Sequence, residues 1–109
     1  IAVSSGNSFV HETESQVILN GSYNINFTMD LVLKDTGLFN DLAKKLNSGL
    51  EISPKIVDIF KDGQKKYGSR AWSSMIVKRM EDSNNIDFRA DGFPKELTDN
   101  EPEEKGYEI

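Results

Sequence analysis

An all-α domain is the fold class that this chain of 109 residues predicts, and three observations carry the prediction. Four segments place apolar residues at helical spacing, no segment alternates strictly enough for a half-buried strand, and Gly, Ser, Asn and Pro stand between the segments. Amphipathic helices joined by short connections bury their apolar stripes against one another, and the length suits a single small domain.

The first helix is predicted over residues 8–19. Phe9, Val10, Val17 and Ile18 give it an apolar side, and Asn20-Gly21 closes it, because glycine adopts the left-handed conformation that ends helices. A linker follows over residues 22–26.

The second helix, residues 28–47, ends at Ser48-Gly49. At about 100° per residue, Leu31, Val32, Leu38, Phe39, Leu42, Ala43 and Leu46 fall in one band about 140° wide. Asp30, Gly37, Asn40, Asp41 and Lys44 lie opposite. Asp35 projects to the middle of the apolar band, with Lys34 on its flank. A carboxylate turned to a core is costly unless it is paired or accepts backbone N–H groups, so Asp35 is expected to clamp or cap another segment. Lys34 has two readings, a flank lysine snorkelling into water or a donor at the edge of a cleft.

The third helix begins at Ser53-Pro54, a cap residue followed by a proline whose missing N–H costs nothing there, and ends near Tyr67-Gly68. Ile56, Ile59, Phe60, Gly63 and Tyr67 share one side. Glycine inside that stripe costs about 1 kcal/mol in helix propensity, which predicts the close approach of another backbone. The fourth helix, residues 70–82, aligns Trp72, Met75, Ile76 and Met80, with Arg79 among them.

Charge separates a body from a tail. Residues 1–81 hold nine Asp/Glu against ten Lys/Arg, a balance of +1, whereas residues 82–109 hold nine against three, a balance of -6. The body, 1–81, is thus the expected packed domain and 82–109 an extended acidic tail. Charged, proline-containing stretches bury too little apolar area to offset their ordering entropy, so the tail reads as solvated. The alternative is that Phe88, Phe93 and Leu97 strap it across the body or across a neighbouring chain. No dense basic stripe exists for phosphate backbones, so nucleic acid is not an expected partner. Nor is a membrane, since no apolar run approaches the ~20 residues of a span. The first residues have neither the basic region nor the apolar core of a signal peptide, and the expected location is cytoplasmic.

Several kinds of chemistry lack their residues. There is no cysteine, hence no disulfide, thiolate zinc site or cysteine nucleophile, and one histidine, His11, hence no metal cluster and no base for a triad. His11 reads as an exposed polar residue beside Glu12 and Glu14. Ser4-Ser5 and Ser73-Ser74 suit capping or close packing, Asn20-Gly21-Ser22 and Asn26-Phe27-Thr28 match the glycosylation pattern without other signs of secretion, and no glycine-rich phosphate loop occurs.

The stretch Phe27-Thr28-Met29-Asp30-Leu31-Val32-Leu33-Lys34-Asp35-Thr36-Gly37-Leu38-Phe39-Asn40-Asp41-Leu42-Ala43 resembles a signature of the β-hydroxyacid dehydrogenases, the 3-hydroxyisobutyrate dehydrogenase and tartronate semialdehyde reductase family. Ser4-Ser5-Gly6 with Ser8, Asn20-Gly21-Ser22-Tyr23, Ile52-Ser53-Pro54, Phe60, Tyr67-Gly68 and Trp72-Ser73-Ser74 extend the resemblance over residues 3–81. It implies a helical domain like the C-terminal one of 6-phosphogluconate dehydrogenase, which lines a cofactor cleft and forms the subunit interface of a homo-oligomer. It implies that Lys34 reaches NAD or NADP and that Phe27 and Asp35 support the site.

The family's catalytic lysine belongs to a GxGxxxKxxxN segment, and its dinucleotide fold carries GxGxxG; neither occurs in these 109 residues. The resemblance therefore implies a C-terminal fragment with no catalytic residue of its own and no cofactor bound alone. Its missing partner would be an N-terminal Rossmann domain, and the intact enzyme would act on a small 3-hydroxy acid or semialdehyde. Thr36 replaces a leucine of the family pattern, Phe39 a small residue and Ala71 an acid. The alternative function is a free-standing helical interaction module.

Overall fold

The computed structural model describes residues 1–97, and among these it contains helices and no strand. The order is α1 (Phe9–Asn20), α2 (Met29–Lys45), α3 (Ser53–Tyr67), a 3-10 turn (Ser73–Val77) and α4 (Lys78–Asn84) continuing from it. The all-α reading holds.

Local signals set the ends of these helices. The Ser8 hydroxyl accepts from the His11 N–H at 3.0 Å, capping α1, and Gly21 ends it at φ +82. The end of α2 differs from expectation in which residue turns the chain. Asn47 takes the left-handed conformation at φ +52, the Ser48 N–H bonds back to Ala43 O and the Asn47 N–H to Lys44 O. That pair of bonds closes the helix before Gly49 is reached. At the start of α3 the cap position belongs to Ile52, while Ser53 is already helical and its hydroxyl accepts from Asn40 Nδ2 at 3.0 Å, tying α3 to α2.

α2 and α3 form an antiparallel pair, and Gly63 is its tightest point. A Cβ there would lie 2.6 Å from Ile76 Cδ1 and 3.3 Å from Met29 Sδ, so the glycine admits two side chains rather than another backbone. Met29 and Val17, both fully buried, anchor α2 and α1 in the small core.

The single helix expected over residues 70–82 is not formed. Trp72 is extended and makes an isolated antiparallel bridge with Thr28. The first N–H groups of α2 need acceptors from outside the helix, and the segment before Ser73 supplies them: Met29 N–H donates to Ala71 O at 2.9 Å and Asp30 N–H to Ser69 O at 3.1 Å. Helical geometry over 69–72 would turn those carbonyls into its own ladder.

Part of the stretch read as a solvated tail runs back over the body. The Ala90 N–H donates to Leu19 O at 3.1 Å and the Asn20 amide to Pro94 O. Phe88 is half-buried, Phe93 is 37% exposed, and the acidic end from residue 98 onward lies outside the described residues.

Candidate functional site

Lys34 and Asp35 stand on the second turn of α2, and both point outward. Their ammonium and carboxylate are 3.1 Å apart, with side chains 61% and 55% exposed. The expectation that Asp35 is sunk in a core and clamps another segment is thus corrected. The apolar band containing it is real, yet Leu38, Phe39, Leu42 and Leu46 on that band are all exposed, and none of the described residues covers Asp35. α2 meets α3 through another side: Met29, Leu33 and Asn40 face α3, and Ala43, one turn on, is buried.

Phe27 lies just before the N-cap of α2. The residue is 37% exposed, and its carbonyl accepts from the Ser73 N–H at 2.7 Å. The residues singled out from sequence therefore follow one helix, Phe27 just before its foot and the Lys34–Asp35 pair about 8 Å above its first residue, Met29. Among the described residues Phe27 makes no polar contact with either. One contact there was not foreseen. Arg70 Nη1 lies 3.2 Å from Asp30 Oδ2, and Asp30 also accepts from the Thr28 hydroxyl. The Thr28 bond, against some desolvation and with help from Arg70, holds the Asp30 carboxyl below its usual range.

A second cluster joins the linker before α2, α4 and the segment that follows α4. Glu81 is 1% exposed and accepts from the Tyr23 hydroxyl, the Phe88 N–H at 2.9 Å and Arg89 Nη1 at 2.8 Å. Burial pushes its carboxyl up, and the bonds from Tyr23, Phe88 and Arg89 together outweigh burial and hold it below the usual carboxylate value. Arg89 Nη2 donates to the Tyr23 hydroxyl at 2.8 Å, and the guanidinium carbon lies 5.2 Å from the Tyr23 ring centroid. No local pattern announces this cluster, because Tyr23 lies 58 and 66 positions before Glu81 and Arg89.

Other groups single themselves out less. His11 is half-buried at the first turn of α1, and Ser73 and Ser74 are buried where the 3-10 turn packs, as small residues would be. An open groove of about 450 Å³ between α2 and α3 is lined by Leu33, Gly37 and Val57 with Lys44 and Lys61 at its rim; it contains none of Phe27, Lys34 or Asp35. Among the described residues no cluster of three or more His, Asp or Glu could hold a metal, and no helix is long and apolar enough to cross a membrane.

The helices, with no strand among the described residues, define the class as an all-α domain. Residues 1–80 match the family model described as NAD-binding of NADP-dependent 3-hydroxyisobutyrate dehydrogenase, and the chain belongs to that family. Searches of curated proteins and of solved structures gave no match.

Proposed function

We propose that this chain is the cofactor-facing helical domain of an NAD(P)-dependent 3-hydroxyacid dehydrogenase or semialdehyde reductase, and that it forms one wall of a cleft completed by a dinucleotide-binding domain. The carrying observation is the position of Lys34: an ammonium 61% exposed, paired only to Asp35 among the described residues, on the flank of an apolar band that those residues leave uncovered. Such a group suits the polar edge of a nicotinamide or a phosphate oxygen, while Leu31, one turn before it, and Phe27 at the foot of the helix offer apolar surface to a bound ring. The residues fit one wall of a cofactor site and not a whole one, since no glycine-rich turn offers N–H groups to a pyrophosphate.

When bound, the nicotinamide supplies a hydride exchanged with C3 of a small 3-hydroxy acid or its semialdehyde. In that setting Lys34 binds and orients, Asp35 holds the ammonium in place, and Phe27 packs at the foot of the wall. Proton transfer falls to a lysine outside these 109 residues. The uncovered residues of α2 and α3 would then meet the partner domain and a second subunit, giving a homo-oligomer.

The test joins this chain to the dinucleotide-binding domain of a family member. Lys34→Ala is expected to weaken NADPH binding about 10- to 100-fold, the loss of one charged hydrogen bond of about 1.5–3 kcal/mol. The 109 residues alone are expected to give no turnover, and robust reductase activity from them would overturn the reading. The exposed Leu38, Phe39 and Leu42 also favour a second reading, an interaction module. That reading expects Lys34→Ala to leave partner binding intact and a cofactor to have no effect.

A further inference from the structure

We propose that residues 86–94 form a strap that sets the entrance to α2, with Arg89 as its positioning residue acting on Phe27 through Tyr23. The strap lies beyond the family match, which ends at residue 80. Apart from its bonds to Glu81 in α4, its contacts fall on the junction between α1 and the linker that leads to Phe27. Ala90 N–H donates to Leu19 O, the Asn20 amide donates to Pro94 O, and Arg89 covers Gly21, where a Cβ would lie 2.6 Å from Arg89 Nε.

The linker needs such a hold. Gly21, Tyr23 and Asn26 are left-handed at φ +82, +54 and +56, and for the two with side chains this is a disfavoured conformation. Disfavoured backbone persists where its surroundings over-determine it. Tyr23 is fixed at both ends: its N–H donates to Val17 O at 2.9 Å, its carbonyl accepts from the Ser74 hydroxyl at 2.6 Å, and its phenol is gripped by Glu81 and Arg89. The fork of Arg89 reaches the phenol and Glu81 together, which a lysine's single ammonium does not reproduce.

From Tyr23 the hold passes to α2 in two steps. Ser74 binds the Tyr23 carbonyl and the neighbouring Ser73 N–H binds the Phe27 carbonyl, so both ends of the linker hang from the same 3-10 turn. The foot of α2 is then fixed by Met29 N–H to Ala71 O. Without Arg89, Tyr23 keeps one phenol partner and the left-handed turn loses its cover. Only the consequence for a cofactor rests on the function proposed above; the positional effect does not.

The test uses the full chain without cofactor, so its outcome is independent of that function. Amide exchange is followed residue by residue by NMR in Arg89→Ala, Arg89→Lys and Tyr23→Phe. Exchange at Tyr23, Met29 and Ser73 is expected to quicken about tenfold or more in Arg89→Ala and Tyr23→Phe, while amides of the α2–α3 pair such as Ala43 and Phe60 keep their protection. Arg89→Lys is expected to fold and to show the same local pattern, which keeps the test open if Arg89→Ala does not fold. Uniform loss over α2 and α3 would make the cluster a general stabiliser and overturn the proposal. So would unchanged exchange at Met29 and Ser73, or full wild-type protection in Arg89→Lys.

Discussion

Replacing Glu81 with glutamine tests the energetics of the buried cluster through its pH dependence. The carboxylate is fully buried and takes three donors, from Tyr23, Phe88 and Arg89. Glutamine keeps the volume and one acceptor oxygen, so the Phe88 N–H and Arg89 retain a neutral partner, but the amide nitrogen replaces the oxygen that receives the Tyr23 hydroxyl. The Phe88 bond becomes neutral, the Arg89 bond ceases to be an ion pair and the Tyr23 bond must rearrange, a loss of about 2–3 kcal/mol. This is less than the ~3–5 kcal/mol of breaking a fully buried pair, because the Arg89 side chain is 38% exposed and water partly replaces its partner.

For a domain of this size the loss corresponds to a melting temperature lower by about 10–20 °C, read by far-ultraviolet circular dichroism at pH 7. The Glu81 carboxyl is held below its ordinary 4.5 in the folded chain. The unfolded chain therefore binds the proton first as pH falls. The stabilisation is complete above pH 4.5 and is lost as pH drops through the lower, folded value. The gap between wild type and Glu81→Gln should therefore hold from pH 7 to about 5 and narrow below 4.5. Equal melting temperatures at pH 7, or a gap that stays constant down to pH 2.5, would refute the assignment of a buried, ionised Glu81.

Other substitutions separate effects of opposite sign. Gly63→Ala gains about 1 kcal/mol of helix propensity but drives a methyl against Ile76 and the fully buried Met29, costing about 1–3 kcal/mol, so urea denaturation should show a net loss. Gly21→Ala should lose about 2 kcal/mol in the same assay, since its left-handed φ is disfavoured with a side chain and Arg89 must move. Lys34→Ala should change stability by no more than ~0.5 kcal/mol, as expected of an exposed pair, and a larger loss would mean that Lys34 supports the fold rather than a ligand. Phe39→Ser with Leu42→Ser should leave the fold intact and reduce concentration-dependent self-association in sedimentation, because both side chains are more than half exposed.

What the sequence made legible was local. Ser8, Gly21 and Pro54 act through the backbone within a turn of their own positions, so the limits of α1 and α3 came within a residue of the structure. The segment before Ser73 was misread because its apolar spacing is helical while its carbonyls are claimed by α2, some forty residues earlier, as with Asp30 N–H and Ser69 O. The Tyr23–Glu81–Arg89 cluster was invisible for the same reason in stronger form. A glutamate one turn after Val77 looks like any surface acid until the linker and the strap fold over it.

The candidate site shows the limit more sharply, because periodicity marked an apolar face of α2 that α3 does not cover. Hydrophobic spacing measures the width of an apolar band and carries no information about what covers it. On α2 it marked the band of Leu38, Phe39 and Leu42, whereas the helix packs on α3 through Met29, Leu33 and Asn40, a narrower stripe diluted by Gly37 and Asn40. Asp35 in that band therefore needs no internal partner, and Lys34 at 3.1 Å is a sufficient one in water. An apolar face with a lysine and a carboxylate set in it is a poor solvent face and an incomplete core. It becomes consistent when a second surface meets it and supplies a charge or dipole for Lys34. Removing water would then strengthen that contact severalfold as the local dielectric falls. On the function proposed here, the pair is weak in the isolated domain and strong only in the closed cleft, which is why its role is legible from its neighbours on the helix and not from its own energetics.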